Sequence, residues 1–230
     1  MIKDSPVLTV RRKFRRPTDA QFQSFNKAST GFVVDSQDGN GALDYRIKPL
    51  VDDISSAFFG VAVTCQTGPS DNLAAHGALA LAEPGDVLVV ATGGYTGAAV
   101  IGDNMAHMAK NKGVLAIVTD GVLRDLPGLL GVGIPMYCRG ISPNSPARNG
   151  PGTVGLPITL GGVSVSSGDI VVGDRDGIVI VPQQNLNRVI DELKEVRQIE
   201  SAMEAKVKSG LTVSDGIMEL LNSDKVRNVD

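Results

Sequence analysis

Apolar positions along the chain fall into short continuous runs, each closed by glycine, proline or a charged residue. "GVAVTC" at 60–65, "VLVVAT" at 87–92, "VLAIVTD" at 114–120 and "GVGIPMYCRGI" at 131–141 are of this kind. Runs of this length between turn residues read as buried strands. The first extends back through "SSAFF" at 55–59. Between them lie stretches with helical spacing. "PSDNLAAHGALALAEPGD" at 69–86 reads as a helix capped by Ser70 or Asp71 and stopped by Pro84-Gly85. "DNMAHMAKNKG" reads as a second, opened by Asp103 as cap and closed by Gly113.

The ends of the chain follow other patterns. "PTDAQFQSFNK" at 17–27 starts like a helix, with Thr18 as N-cap and Gln21 three residues on. "TGFVVDSQDGNGALDYRIKPL" at 30–50 reads as a strand, a glycine-rich turn and an extended return. "GGYTGAAVIG" at 93–102 and the Pro/Gly/Asn-rich 143–157 read as loops. "VSVSSGDIVVGDRDGIVIVP" alternates about "RDG" and predicts a hairpin; a polar amphipathic helix follows from about Gln183 to Ser209. Strands alternating with helices, plus a late hairpin, predict one mixed α/β domain over 17–209 after a basic arm at 1–16, with a tail at 210–230. A plain doubly wound sheet suits the pattern less, because the hairpin requires antiparallel strands.

Composition alters this picture little. The 230 residues can bury a real core, and with 4% aromatics and no Trp that core must be mostly aliphatic. A net charge of -3 gives no global reason to expect nucleic acid or an anionic membrane. "RRKFRR" at 11–16 is the local exception, and reads as a solvated arm before it reads as an RNA or lipid contact. Cys65 and Cys138 lack CxxC spacing and sit in apolar runs, as buried reduced thiols of a cytoplasmic protein would. No stretch has the length of a secretory leader core or of a membrane span.

Candidate chemistry gathers where strands end and helices begin, which is where α/β folds bind ligands. The glycine loop leads into the amino end of the 103–112 helix, whose free N–H groups and dipole favour a carboxylate or phosphate. "DGVLRD" leaves the next strand. Arg124 can hold a carboxylate or enolate oxygen with a fork of charge-assisted bonds, and Asp125 offers oxygens to a hard cation such as Mg²⁺. Taken singly, Asp103 reads as an N-cap and Arg124-Asp125 as a surface turn. HExxH, GxSxG and Walker patterns are absent, and two histidines exclude a three-His zinc site within one chain.

Asp103, twenty intervening residues and Arg124-Asp125 form a D-x20-R-D pattern. It resembles the signature of the family that holds the class II 4-hydroxy-4-methyl-2-oxoglutarate aldolases and the ribonuclease E activity regulator A-like proteins. "SDNLAAHGAL", "EPGDVLVV", "IGDNMAHMAKNKGVLAIVTDGVLRD", "IPMYCRGISP" and "GGVSVSSGDIVVGDRDGIVIVP" extend the similarity over about residues 55–200. The resemblance implies an α-β-β-α sandwich related to phosphohistidine swivelling domains, assembled as trimers or dimers of trimers with the site between subunits. It implies that Asp125 ligates Mg²⁺ or Mn²⁺, that Arg124 holds the pyruvyl keto or enolate oxygen, and that Asp103 orders metal-bound water. Backbone N–H groups around Gly102, Asp103, Asn104 and Met105 would take the substrate carboxylate. A glutamate from a neighbouring subunit's C-terminal helix would complete the site; Glu200 is the best positional match and Glu195 the next. The activity implied is pyruvate-releasing retro-aldol cleavage with oxaloacetate decarboxylation; the alternative is a non-catalytic regulator that binds ribonuclease E or another protein.

The chain departs from the family pattern in places. Asn104 and Met105 stand where two leucines are usual, the tail reads "KSGLTVSDG", and the first 55 residues match poorly. His107 lies one turn after Asp103, on the same side, as a proton relay or a packed or solvated histidine; His76 reads as structural.

Overall fold

A computed structural model of the chain describes residues 6–51 and 58–229. The elements begin with β1 (Leu8–Val10), α1 (Asp19–Gln23), α2 (Thr30–Asp35), β2 (Lys48–Pro49), β3 (Phe58–Thr67) and α3 (Leu73–Leu81). Then come β4 (Asp86–Ala91), β5 (Ala99–Ile101), α4 (Asp103–Asn111), β6 (Ala116–Thr119), β7 (Val122–Leu123), α5 (Leu126–Val132) and β8 (Met136–Cys138). The series closes with β9 (Gly152–Val154), β10 (Ile158–Leu160), β11 (Val163–Val165), β12 (Ile170–Gly173), β13 (Ile178–Val181), α6 (Leu186–Lys208) and α7 (Ile217–Leu221). Contacts divide the chain into Met1–Leu193 and Lys194–Asp230, the division falling within α6.

The first unit is built on a mixed sheet ordered β1-β9-β3-β4-β6-β8-β2. Strands β3, β4, β6 and β8 run parallel. One edge of the ten-residue β3 is shared end to end, by β12 opposite Phe58–Val61 and by β9 opposite Cys65–Thr67, both antiparallel. The runs are continuous because both faces are covered. Alternate residues divide between two cores. Leu88, Val90 and Ile117 pack with α3, α4 and α5, while Val87, Val89 and Val118 pack with the β10–β11 hairpin. A third cluster joins β12 and β13 to Phe25, Val33 and the start of α6. Cys65 and Cys138 are buried free thiols whose pKa values burial pushes up.

Several expectations hold. Thr18 and Gln21 form the capping box of α1. The hairpin about "RDG" is β12–β13, and α6 occupies most of the range read as the last long helix, after a 3-10 turn at Gln183–Asn185. The run at 55–67 holds β3, its residues 55–57 lying outside those described.

Others need correction. Residues 30–35 form a short helix and not a strand, because the Ser29 hydroxyl accepts from Phe32 N–H and Asp174 takes both the N–H and the hydroxyl of Thr30. The 131–141 run contains only the three-residue β8, since its first part belongs to α5. The glycine loop holds β5, the 143–157 loop holds β9, and β10–β11 form a hairpin that precedes the one expected.

The basic arm is not simply solvated. Leu8–Val10 pairs with β9, Phe14 packs on the main core, and Arg16 makes a two-pronged bond to the buried Asp86 at 2.6 and 2.9 Å. Arg11, Arg12, Lys13 and Arg15 are exposed. In the second unit, Lys206 pairs with Asp215 at 2.6 Å, and α7 carries exposed Ile217, Met218, Leu220 and Leu221.

Candidate active site

The carboxyl ends of β4 and β6 are locked together before the site begins. Buried Asp120 accepts from the Thr92 N–H at 2.6 Å, the Thr92 hydroxyl at 3.0 Å and the Gly94 N–H at 2.8 Å. From that anchor the chain runs into β7, which pairs in parallel with β5. Their ends deliver two helix starts side by side: β5 leads into Gly102 and α4, and β7 into Arg124, Asp125 and α5. The Arg124 N–H donates to the Ile101 carbonyl at 3.1 Å, which closes the register between them.

At α4 the N-cap is Gly102, in extended conformation, and Asp103 is the first helical residue; the reading of Asp103 as the cap is thereby corrected. Its carboxylate instead accepts from the Asn104 N–H at 2.6 Å. Asp125 caps α5 in the left-handed region, at φ 63, and its carbonyl accepts from Gly128 and Leu129 at 2.9 and 3.0 Å. Non-glycine residues rarely adopt this conformation, and it concentrates at functional sites. Likewise, the α3 N-cap is Asn72 rather than Ser70 or Asp71, although Asp71 accepts from the Leu73 N–H at 2.8 Å.

The two helix starts interlock through glycines. A Cβ on Gly102 would lie 2.6 Å from Asp125 Oδ2 and 3.1 Å from Arg124 Nε. A Cβ on Gly128 would strike the Asp103 carboxylate, its Cβ at 2.7 Å. Each aspartate thus rests on the other helix's bare glycine. Only glycine permits approach this close, so each carboxylate is seated against the start of the other helix.

Arg124 lies across this seat, with Nε 3.3 Å from Asp125 Oδ2 and Nη1 bonded to Ser145 Oγ. Its side chain is 34% exposed and that of Asp125 44%, so both are open to a ligand. The N–H groups of Asp103 and Met105 have no hydrogen-bond partner among the described residues, whereas that of Asn104 is taken by Asp103. The Met105 side chain is buried, which leaves only its backbone to the site.

The structure therefore brings Gly102, Asp103, Asn104, Met105, Arg124 and Asp125 together. Glu200 and Glu195 lie on α6 in the second unit, both exposed. His107 is exposed on α4. His76 has a buried Nε2 with no hydrogen-bond partner among the described residues, and its pKa is lowered by burial and then by the positive charge of Arg148. Sequence reasoning missed Gly128 and Ser145. Gly128 lay in a helix not foreseen, and a serine in a polar loop carries no signal of its own.

No group of three or more His, Cys, Asp or Glu side chains able to hold a metal occurs among the described residues. Asp125, 44% exposed, is the carboxylate open to a ligand here, and one or two carboxylates suit a hard cation such as Mg²⁺ that keeps most of its waters. Such a donor set would not suit zinc held by nitrogen and sulfur ligands.

With this geometry established, comparison with known proteins decides the family. The RraA-like family model, Aldolase/RraA, matches residues 29–180. The chain belongs to this family. A Halalkalibacterium halodurans protein, provisionally named a 4-hydroxy-4-methyl-2-oxoglutarate aldolase, is 33% identical over 196 residues, covering 85% of this chain and 90% of its own. Among solved structures, Streptomyces coelicolor RraAS2, described as an unusual member of the RNase ES inhibitor RraA family, superposes with a TM-score of 0.74 at 29% identity. It covers 83% of this chain and 100% of its own. The Thermus RNA-processing inhibitor RraA gives a TM-score of 0.62 at 29% identity, over 68% and 93% of the two chains. The mixed α/β fold expected from the sequence is the fold of these relatives. Among the described residues no helix is long and apolar enough to cross a membrane.

Proposed function

We propose that this chain is a divalent-metal-dependent lyase that cleaves a 4-hydroxy-2-oxo acid and releases pyruvate. The observation that carries the reading is the reciprocal seating of Asp103 on Gly128 and Asp125 on Gly102, with the Arg124 guanidinium across them.

The substrate class follows from the charges. A 2-oxo acid has a carboxylate for the α4 amino end, where the Asp103 and Met105 N–H groups have no partner among the described residues. It also has a keto oxygen for Arg124. In retro-aldol cleavage the 4-hydroxyl loses its proton, that O–H electron pair becomes the new carbonyl, and the C3–C4 bond breaks. The electron pair of that bond becomes the C2=C3 bond of the pyruvate enolate as the carbonyl π pair moves onto the C2 oxygen, and return of the proton to C3 completes pyruvate. Arg124 is fixed before reaction, and it stabilises the enolate oxygen more than the neutral ketone. Asp103, held at the helix start, orders the water that accepts the 4-hydroxyl proton. Mg²⁺ or Mn²⁺, held by Asp125, would add positive charge at the same oxygen. Loss of CO₂ from oxaloacetate gives the same enolate, so the site serves that reaction too. In this reading the working form is a trimer or dimer of trimers, and Glu200, or else Glu195, reaches a neighbour's site.

The test is a coupled assay of pyruvate release from oxaloacetate and from 4-hydroxy-4-methyl-2-oxoglutarate, with Mg²⁺ or with EDTA. Release that needs the metal and disappears in Asp125→Ala supports the lyase; no release from either substrate overturns it. The RraA structures at 29% identity favour one second reading, a regulator that binds an RNA-processing enzyme. Capture of ribonuclease E by a chain with no pyruvate-releasing activity would favour that reading.

A further inference from the structure

The loop at 142–150 is polar and has no apolar core, yet it is tied down along its length. Ser142 N–H donates to the Leu123 carbonyl at 2.9 Å. The Asn144 carbonyl accepts from Ala99 at 3.0 Å, and its side-chain amide donates to Gly97 at 2.8 Å. Ala147 exchanges bonds with Ser70 and Asn72 at 2.6 and 3.0 Å. The Asp71 carboxylate takes the N–H groups of Asn149 and Gly150 at 2.6 and 3.0 Å.

Ser145 stands between the Asn144 and Ala147 ties, and its hydroxyl accepts from Arg124 Nη1. Pro146 follows it and restricts its backbone to extended conformations, so the hydroxyl is presented from a stiff segment. We propose that Ser145 is a positioning residue for Arg124, and that the 142–150 loop is the brace that holds it. A guanidinium is planar, so contacts at two of its nitrogens, Nε to Asp125 and Nη1 to Ser145, fix the plane. Ser145 does this without adding negative charge. The Nη2 group has no partner among the described residues and keeps its donors for substrate. An acidic residue at 145 would orient the guanidinium equally well but neutralise it.

The inference rests on the lyase reading for its kinetic arm, and the experiment separates the two. Ser145→Ala is expected to lower kcat for pyruvate release about tenfold, the lower range for a hydrogen bond to a charged group. Ser145→Thr, which keeps the hydroxyl, recovers most of that. In an Arg124→Ala background Ser145→Ala has no further effect, because the group it positions is gone. Unchanged kcat in Ser145→Ala, or an equal loss in both backgrounds, overturns the proposal. A second readout does not depend on turnover. The Nε–Hε resonance of Arg124 in protein labelled with ¹⁵N-arginine, assigned from its absence in Arg124→Ala, should shift and exchange faster with water in Ser145→Ala. An unmoved resonance overturns the brace. If the unaltered protein releases no pyruvate, the lyase reading fails and the resonance still decides the brace.

Discussion

Two arginine–aspartate pairs in this chain show how the same residues can serve opposite ends. Arg16 and Asp86 are 70 residues apart in sequence and meet in a two-pronged bond at 2.6 and 2.9 Å. Asp86 is fully buried and also accepts from the Glu83 N–H at 2.7 Å, while Arg16 has Glu83 within 3.4 Å as well. The Asp86 hydrogen bond, against the opposing effect of burial, raises the already high pKa of Arg16. Both oxygens of the buried Asp86 are taken, and Arg16 meets carboxylates through Nε, Nη1 and Nη2. Arg124 and Asp125 are sequence neighbours that touch only through Nε at 3.3 Å, and both are open to solvent. The first pair is saturated and holds the arm to the sheet; the second is left unsaturated, as the proposed lyase site requires.

Substitution should separate the two pairs cleanly. Arg124→Ala is expected to lower kcat about 10²–10³-fold, the usual loss when one preorganised donor to a developing oxyanion is removed. Its stability should stay within about 0.5 kcal/mol, as for most exposed substitutions. Arg16→Ala should do the reverse. It leaves a buried carboxylate facing one N–H, at a cost of about 3 kcal/mol, the low end for a broken buried pair because Arg16 is 30% exposed. Turnover per folded molecule should be unchanged. Denaturant melts and the pyruvate assay on the same two proteins check both halves. Loss of stability in Arg124→Ala without loss of rate would erase the distinction.

A finer cut comes from the glycines of α5. Gly131 has open space where a Cβ would go, and Gly128 has the Asp103 carboxylate there. Alanine favours a helix interior over glycine by up to about 1 kcal/mol. Gly131→Ala should therefore gain a few tenths of that and keep full rate. Gly128→Ala should lose about tenfold in rate as Asp103 is pushed off its seat, and about 1–3 kcal/mol in stability, because the Asp103 Cβ at 2.7 Å is fixed to the backbone and the two helix starts must move apart. Equal rates in the two variants would mean that the carboxylate seating does not matter to the chemistry.

The contrast between the pairs also governs what could be read from sequence. Arg124-Asp125 was legible because its spacing from Asp103 and the strand before it form a linear pattern, and the structure brings these residues together. Arg16 read as one cation among five in a solvated arm, since nothing local announces a partner 70 residues away. The buried strands were legible because both faces of the sheet are covered, which makes each run continuous. Residues 30–35 read as a strand because Phe32, Val33 and Val34 carry strand propensity; the Ser29 cap and the distant Asp174 override it. Helix α5 was missed because "LPGLLGV" holds a proline and two glycines within seven residues. The proline sits in the first turn, where its missing N–H costs nothing, and Gly128 is there to admit Asp103.

The smallest effect concerns acid. Burial alone would push the Asp71 carboxyl up, but N–H groups of Asn149, Leu73 and Gly150 outweigh it and hold the pKa below the ordinary value. A carboxylate with a depressed folded pKa contributes stability above the unfolded value of about 3.9, and that contribution is lost as pH falls through the folded value. The 142–150 brace should therefore hold at pH 5 and loosen only on acidification past the ordinary carboxyl range, where Asp71 takes up its proton. Amide exchange at Asn149 and Gly150, corrected for intrinsic rates, should show protection at pH 5 that declines on acidification. In Asp71→Asn the protection should be weak and flat across that range. Because the same loop presents Ser145 to Arg124, this loosening should reach the unsaturated pair before the sheet unfolds, visible as faster water exchange at Arg124 Nε. The amide of Arg11, tied to the sheet through the Val154 carbonyl at 2.9 Å, should hold its protection over the same interval.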